Sequence, residues 1–224
     1  MTRTSRLGAG GVVTKSIGPE PKDGHPGPCL VVLEDGILNA MGLPNPSKDF
    51  VSELASLQKK PVIASIFGGT PEEFAEVAGW FAGKVAGYEL NLSCPHTEKY
   101  GSELGRYPDL VESVTGAVKA AADAPVWVKL TPNTADILEL GLAAQRGGAD
   151  AVVAINTLKA MAIDIETGYP ILGNKFGGLS GQAIKPVAER RRADLRRVGR
   201  AHRRYGIRID DARLQHRQPA VEFD

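Results

Sequence analysis

Only two cysteines, Cys29 and Cys94, occur in the 224 residues, which excludes a disulfide framework and a cysteine-based zinc site. No stretch approaches the run of about 18 apolar residues that a membrane-spanning helix needs. Met1 to Arg6 is followed by no apolar segment, so a secretory signal is not expected. A Walker loop, a dinucleotide-binding glycine fingerprint and a hydrolase elbow are all missing. Aromatics make up 6% of a chain that is 42% hydrophobic, with 26 Gly and 15 Pro. That composition suits one globular domain with many tight connections. A cytoplasmic protein with reduced thiols is the expectation. Lysine is also missing from one region: residues 189–224 hold 11 Arg, no Lys and 6 acidic residues, a balance of +5 against −4 for residues 1–188.

What is present is an alternation. Strands are expected over residues 10–17, 61–67, 88–93, 126–130 and 151–155, with a small extra strand at 30–33. Helices are expected from Ser47 or Asp49 to Leu57, from Thr70 to about Ala82, from Pro108 to about Ala122 and from Thr134 to Gln145. Thr70-Pro71-Glu72-Glu73 carries a start signal, with Thr as N-cap, Pro first and Glu third. Residues 18–28 and 37–46 read as loops, the second unusually apolar. Apolar strands alternating with amphipathic helices predict a parallel sheet covered by helices. A barrel and an open doubly wound sheet both satisfy this pattern. The barrel is favoured because strand after strand ends in polar residues: Lys15-Ser16, Ser65, Asn91 to Cys94, Lys129 and Asn156-Thr157. A barrel gathers such residues around one axis at its carboxyl end.

Tyr88 to His96 is the centre of that pattern, an apolar run ending in Asn91, Ser93, Cys94 and His96. A free cysteine is more often a small buried hydrophobe, and Cys29 fits that reading; the company of Cys94 favours chemistry. Lys15 and Lys129 close apolar strands. A lysine snorkelling to solvent is the bland account of each, and a bound anion the functional one. Asn39, Asn91 and Asn156 offer donors and acceptors to a planar heterocycle. Gly177-Gly178-Leu179-Ser180-Gly181 reads either as a flexible loop or as backbone approaching a cofactor closely.

Together GAGGVVTKSIG, LNAMGLPNP, PVIASIFGGTPEEF, ELNLSCPH, VKLTPN, AINTLKAMAIDIETGYPILGNK and GGLSGQAIKPVA resemble class 1 dihydroorotate dehydrogenases, particularly the NAD-linked subclass. The resemblance covers about residues 7–188. It implies an FMN-binding TIM (β/α)8 barrel that oxidises dihydroorotate to orotate in pyrimidine synthesis. Cys94 then matches the catalytic base at C5 of the substrate. Lys15 matches a contact to both flavin and substrate. Asn39, Ala40, Met41, Gly42, Leu43, Asn91, Asn156 and Thr157 match substrate contacts. Ser16, Ser65, Asn91, Lys129, Ile155 and Gly181 match flavin contacts, Ser65 standing where relatives often carry Asn. His96 replaces the Asn of many relatives. The resemblance further implies an oligomer, no membrane association, and an electron-transfer subunit with flavin and iron–sulfur centres as candidate partner. A dihydropyrimidine dehydrogenase is the alternative within the superfamily, and residues 160–175 favour the dihydroorotate enzymes.

After Ala188 the resemblance stops. Residues 1–188 are expected to form a partial barrel without the first strand and the last two. Residues 189–224 are expected to be an irregular Arg-rich tail, read as a shifted frame rather than as a basic nucleic-acid-binding module. A non-catalytic remnant is the corresponding alternative for the whole chain.

Overall fold

The computed structural model describes residues 10–54, 61–93, 104–201 and 206–208, with side chains described up to residue 196. Six strands form one parallel sheet: β1 (Val12–Val13), β4 (Val62–Ile66), β5 (Gly87–Asn91), β6 (Val126–Leu130), β7 (Ala151–Ala154) and β10 (Gly206–Arg208). Between them, in chain order, come α1 (Phe50–Glu53), α2 (Pro71–Trp80), α3 (Pro108–Ala121), α4 (Ile137–Arg146) and α5 (Lys185–Ala201). The spatial order β1-β4-β5-β6-β7-β10 follows the chain without reversal. A doubly wound sheet reverses its order at a switch point; this one winds one way, as barrel strands do. The described residues are therefore an arc of an α/β barrel.

Side-chain parity separates the two faces. Val62, Ala64 and Ile66 of β4, Tyr88 and Leu90 of β5, and Val126, Val128 and Leu130 of β6 join one buried cluster. Phe74 and Val77 of α2, Val111 and Val114 of α3, and Leu140 of α4 complete that cluster. Alternation then sends Ser65, Glu89, Asn91 and Lys129 to the other face, the interior of the arc.

Helix starts follow their caps. Thr70 Oγ1 accepts the Glu73 amide at 3.3 Å, and Glu73 Oε2 accepts the Gly69 amide at 2.6 Å. The helix expected from Thr134 begins instead at Ile137. Asp136 is its cap, with Oδ1 accepting the Leu138 and Glu139 amides at 2.9 and 3.1 Å; a carboxylate at that position satisfies orphan donors that Thr134 does not reach. The helix expected to Leu57 starts as a 3₁₀ turn, Ser47–Asp49, followed by α1, and its expected end at residues 55–57 lies outside the described residues.

A second sheet, order β2-β3-β9-β8, corrects the loop assignments. It comprises β2 (Leu30–Leu33), β3 (Gly36–Asn39), β8 (Leu158–Ala160) and β9 (Gly177–Ser180), all antiparallel. Leu33 pairs with Gly36 across Glu34-Asp35, so the apolar stretch expected as a loop after residue 36 begins as a hairpin strand. The glycine-rich segment is a central strand of this sheet. Leu38, Ala40 and Leu172 form its own small core.

In its described part the tail also differs from expectation, while residues 202–205 and 209–224 lie outside the described residues. Helix α5 runs unbroken through position 188 to Ala201 and buries Ala188 and Leu195. Beyond it β10 pairs parallel with β7, Ile207 opposite Val152. An arginine-rich helix folds this way because arginine has good helix propensity and a few apolar positions suffice to dock it.

Candidate functional site

The site is built by the carboxyl ends of the first parallel strands. Between the pairs Val13↔Ile63 and Ile17↔Ile66, the first strand's path holds three residues where β4 holds two. This is a bulge, and such an extra residue re-aims side chains. Thr14 Oγ1 fills the interrupted ladder by accepting the Ser65 amide at 2.9 Å. Ile17 resumes pairing by donating its amide to Ser65 O at 2.9 Å. The outcome is that Ser16 meets the neighbouring strands: its hydroxyl lies 2.9 Å from Ser65 Oγ and accepts from Asn91 Nδ2 at 3.0 Å. Either hydroxyl of the Ser16–Ser65 pair can be the donor, since each is both donor and acceptor. Lys15, between Thr14 and Ser16 in sequence, is exposed.

Asn91 spends its donor on Ser16, while its Oδ1 is buried with no hydrogen-bond partner. Ser93 Oγ, two residues on, is in the same state. An unpartnered buried polar atom costs on the order of 1–3 kcal/mol, and a ligand that donates to it recovers that cost. Lys129 stands opposite Asn91 in the β5–β6 register. Its ammonium lies 3.8 Å from Oε1 of Glu89, which is also interior-facing. Cys94 and His96 lie outside the described residues, immediately beyond Ser93.

A second group of predicted residues is gathered by the antiparallel sheet. Asn39 Nδ2 donates to Gly178 O at 3.3 Å. Thr157 presses on the same glycine so closely that its Oγ1 leaves no room for a Cβ at Gly178, and the Asn39 carbonyl does the same at Gly177. Glycine is required here for close packing of strands. The backbone approaches Asn39 at Gly177 and Thr157 at Gly178. Asn156 donates its amide to Leu130 O at 2.9 Å, and Ile155 is buried. Ala40 is buried and donates its amide to Cys29 O at 2.8 Å, whereas Met41 is 47% exposed. Gly42 and Leu43 both have positive φ, +73° and +56°. A buried knot beneath them holds this unusual turn: Asn45 Oδ1 accepts the Gly18 and Ser47 amides, and Ser47 Oγ donates to the Gly18 and Pro19 carbonyls. Gly181 lies against Asp35 and Gly36 at the β2–β3 turn.

Two residues here escaped the sequence reading. Asn133, after β6, donates through Nδ2 to Thr157 O at 3.2 Å and accepts the Lys159 amide at 2.9 Å. It thereby ties the end of the parallel sheet to β8. Arg191 on α5 grips the same loop, donating to Pro132 O at 3.3 Å and Thr134 O at 2.6 Å. Glu89 was readable: it stands two residues before Asn91 in a strand, so both must share a face.

The dihydroorotate dehydrogenase family model matches residues 1–200. "Dihydroorotate dehydrogenase B (NAD(+)), catalytic subunit" of Methanocella arvoryzae is 64% identical over 191 residues, covering 84% of this chain and 63% of the relative. The protein of that name from Methanosarcina mazei is 64% identical over 186 residues, covering 81% and 59%. That from Pyrococcus abyssi is 55% identical over 197 residues, covering 87% and 66%. The chain thus spans roughly three-fifths to two-thirds of these relatives' length. With a barrel arc whose polar strand ends converge and a family model matched over most of its length, the chain belongs to the dihydroorotate dehydrogenase family.

Proposed function

We propose that residues 1–188 carry the catalytic site of an FMN-dependent dihydroorotate dehydrogenase, oxidising dihydroorotate to orotate for UMP synthesis in the cytoplasm. The observation that supports it most is the Ser65–Ser16–Asn91 chain, which ends in a buried acceptor without a partner beside Lys129. Those residues fit a flavin and a planar imide. Asn91 Oδ1 accepts an N–H, Ser16 and Ser65 offer hydroxyls, and Lys129 supplies positive charge. FMN, when bound, supplies the hydride acceptor.

The protein's own groups do the rest. Cys94 takes the proton from C5 of dihydroorotate; such a carbon acid is weak, so the base must be close and well aimed. Lys15 faces negative charge, either the substrate carboxylate or the flavin. Asn39, Asn156 and Thr157, with the backbone from Ala40 to Leu43, hold the ring. Ser65, Ile155 and Gly181 complete the flavin side. Ile155 is buried, so it adds apolar surface that excludes water. The relatives are named as catalytic subunits, and a partner subunit carrying flavin and iron–sulfur centres passes the electrons to NAD. The complete enzyme is an oligomer.

The test is titration of the full chain with FMN, followed by orotate and by uracil, read from the flavin absorbance. FMN binding with a spectral change on orotate supports the reading. A response to uracil and none to orotate points to dihydropyrimidine chemistry. Absence of flavin binding marks a non-catalytic remnant.

A further inference from the structure

Glu89 is a carboxylate 1% exposed, inside the arc, and the proposed reaction gives it no task. Placing such a group out of water is costly unless opposite charge lies near. Its nearest described cation is Lys129, whose ammonium is 3.8 Å from Oε1 and whose side chain is itself 16% exposed. The pairing is set by the sheet. Glu89 lies opposite Ser65 on β4 and Trp127 on β6, one alternation below Asn91 and Lys129. The Glu89 carboxylate therefore sits beneath the polar strand ends. Lys129 is tethered from below while its strand register holds it level with Asn91.

We propose that Glu89 is a positioning residue for Lys129: it fixes the ammonium at the strand ends and offsets part of the positive field that a bound anionic ring meets there. The field component rests on the flavin reading above; the tether does not. A lysine without a nearby carboxylate stabilises a negative ring more strongly. Removing the carboxylate therefore makes the two-electron potential of a bound flavin less negative, and removing the lysine makes it more negative. Neutralising Glu89 moves the reduced-over-oxidised binding ratio by roughly tenfold, about 30 mV for a two-electron couple.

Two measurements on the full chain test this. The first needs no flavin: urea midpoints of Glu89→Gln, Lys129→Met and the double variant. Lys129→Met removes the ammonium 3.8 Å from the Glu89 carboxylate, so the double variant is expected to be more stable than the Lys129→Met single, with clear non-additivity. Additive effects would overturn the tether, and the double variant keeps the cycle readable if Lys129→Met folds weakly. The second is the potential of FMN bound to wild type and to Glu89→Gln, with Glu89→Asp as the conservative control. A positive shift in Gln, restored toward wild type in Asp, supports the field role. An unchanged potential in a Gln variant that still binds FMN overturns it. Failure of wild type to bind FMN sinks the flavin reading and the field role with it, while the urea cycle still decides the tether.

Discussion

Asp123, in the connection before β6, ties itself to the connection before β5 and to β5 at the amino ends of the strands. Its Oδ2 accepts the Gly83 amide at 2.6 Å, and its Oδ1 accepts the Tyr88 hydroxyl at 3.1 Å. The Gly83 amide, with a smaller part from Tyr88, holds the carboxyl below its ordinary value of 3.8. A carboxyl depressed in the folded state stabilises the fold above its unfolded value and loses that contribution as pH falls through the folded one. Tyr88 is the mirror case. Burial, then the Asp123 charge, pushes its phenol well above the ordinary value, so its contribution is present below about pH 10 and lost as pH rises further. Asp123→Asn is expected to flatten the acid limb of the urea-midpoint profile below about pH 4, and Tyr88→Phe the alkaline limb. Profiles parallel to wild type would show that neither group is linked to folding. At this scale the sequence was informative about Ser16, Asn91 and Lys129, because polar residues closing apolar strands are conspicuous. It was silent about Asn133 and Arg191, whose partners lie 24 to 59 positions away in the chain.

At the scale of elements, capping decided where helices begin. Thr70 was recognised because Thr-Pro-x-Glu concentrates three start signals in four residues. Asp136 was overlooked because the helix was read as starting two residues earlier, at Thr134. Replacing Thr70 or Asp136 by Ala is expected to lower unfolding stability by about 1 kcal/mol each, measured by urea denaturation. Ala at Thr134, whose hydroxyl accepts only the exposed Asp136 amide, is expected to cost less than Asp136→Ala. Equal losses at 134 and 136 would contradict the cap assignment. The second sheet was the larger omission. Glu34-Asp35-Gly36 between two apolar runs is a recognisable hairpin connection, and reading it would have turned residues 36–39 into a strand. Strands β8 and β9 carried no comparable sign. Glycine is unfavourable in an isolated strand, and Gly177-Gly178 forms one only because Asn39 and Thr157 crowd both sides of it.

Across the whole molecule, the parallel sheet keeps chain order from β1 to β10 and wears its helices on one face. The other face is left for Ser16, Ser65, Glu89, Asn91 and Lys129. No described helix is long and apolar enough to cross a membrane. Helix α5 tests how far this organisation extends past residue 188. Leu195 is 1% exposed and belongs to the main core, so Leu195→Ala is expected to cost about 2–5 kcal/mol. A change within about 0.5 kcal/mol, as at an exposed position, would instead mark the arginine-rich segment as undocked in solution.

The sequence by itself determined the alternation of strands and helices, the Thr70 cap, the polar strand ends and the family. All of these follow from short-range periodicity or from local motifs. Only the tertiary structure decided that the strands wind one way, that a bulge after Val13 turns Ser16 toward Asn91, and that a second antiparallel sheet holds Asn39 against Thr157. Only there, too, does Glu89 meet Lys129, forty positions later in the chain. The physical reason is the same in each case. A side chain's face is fixed by its own strand, but its partner is fixed by the register of the next.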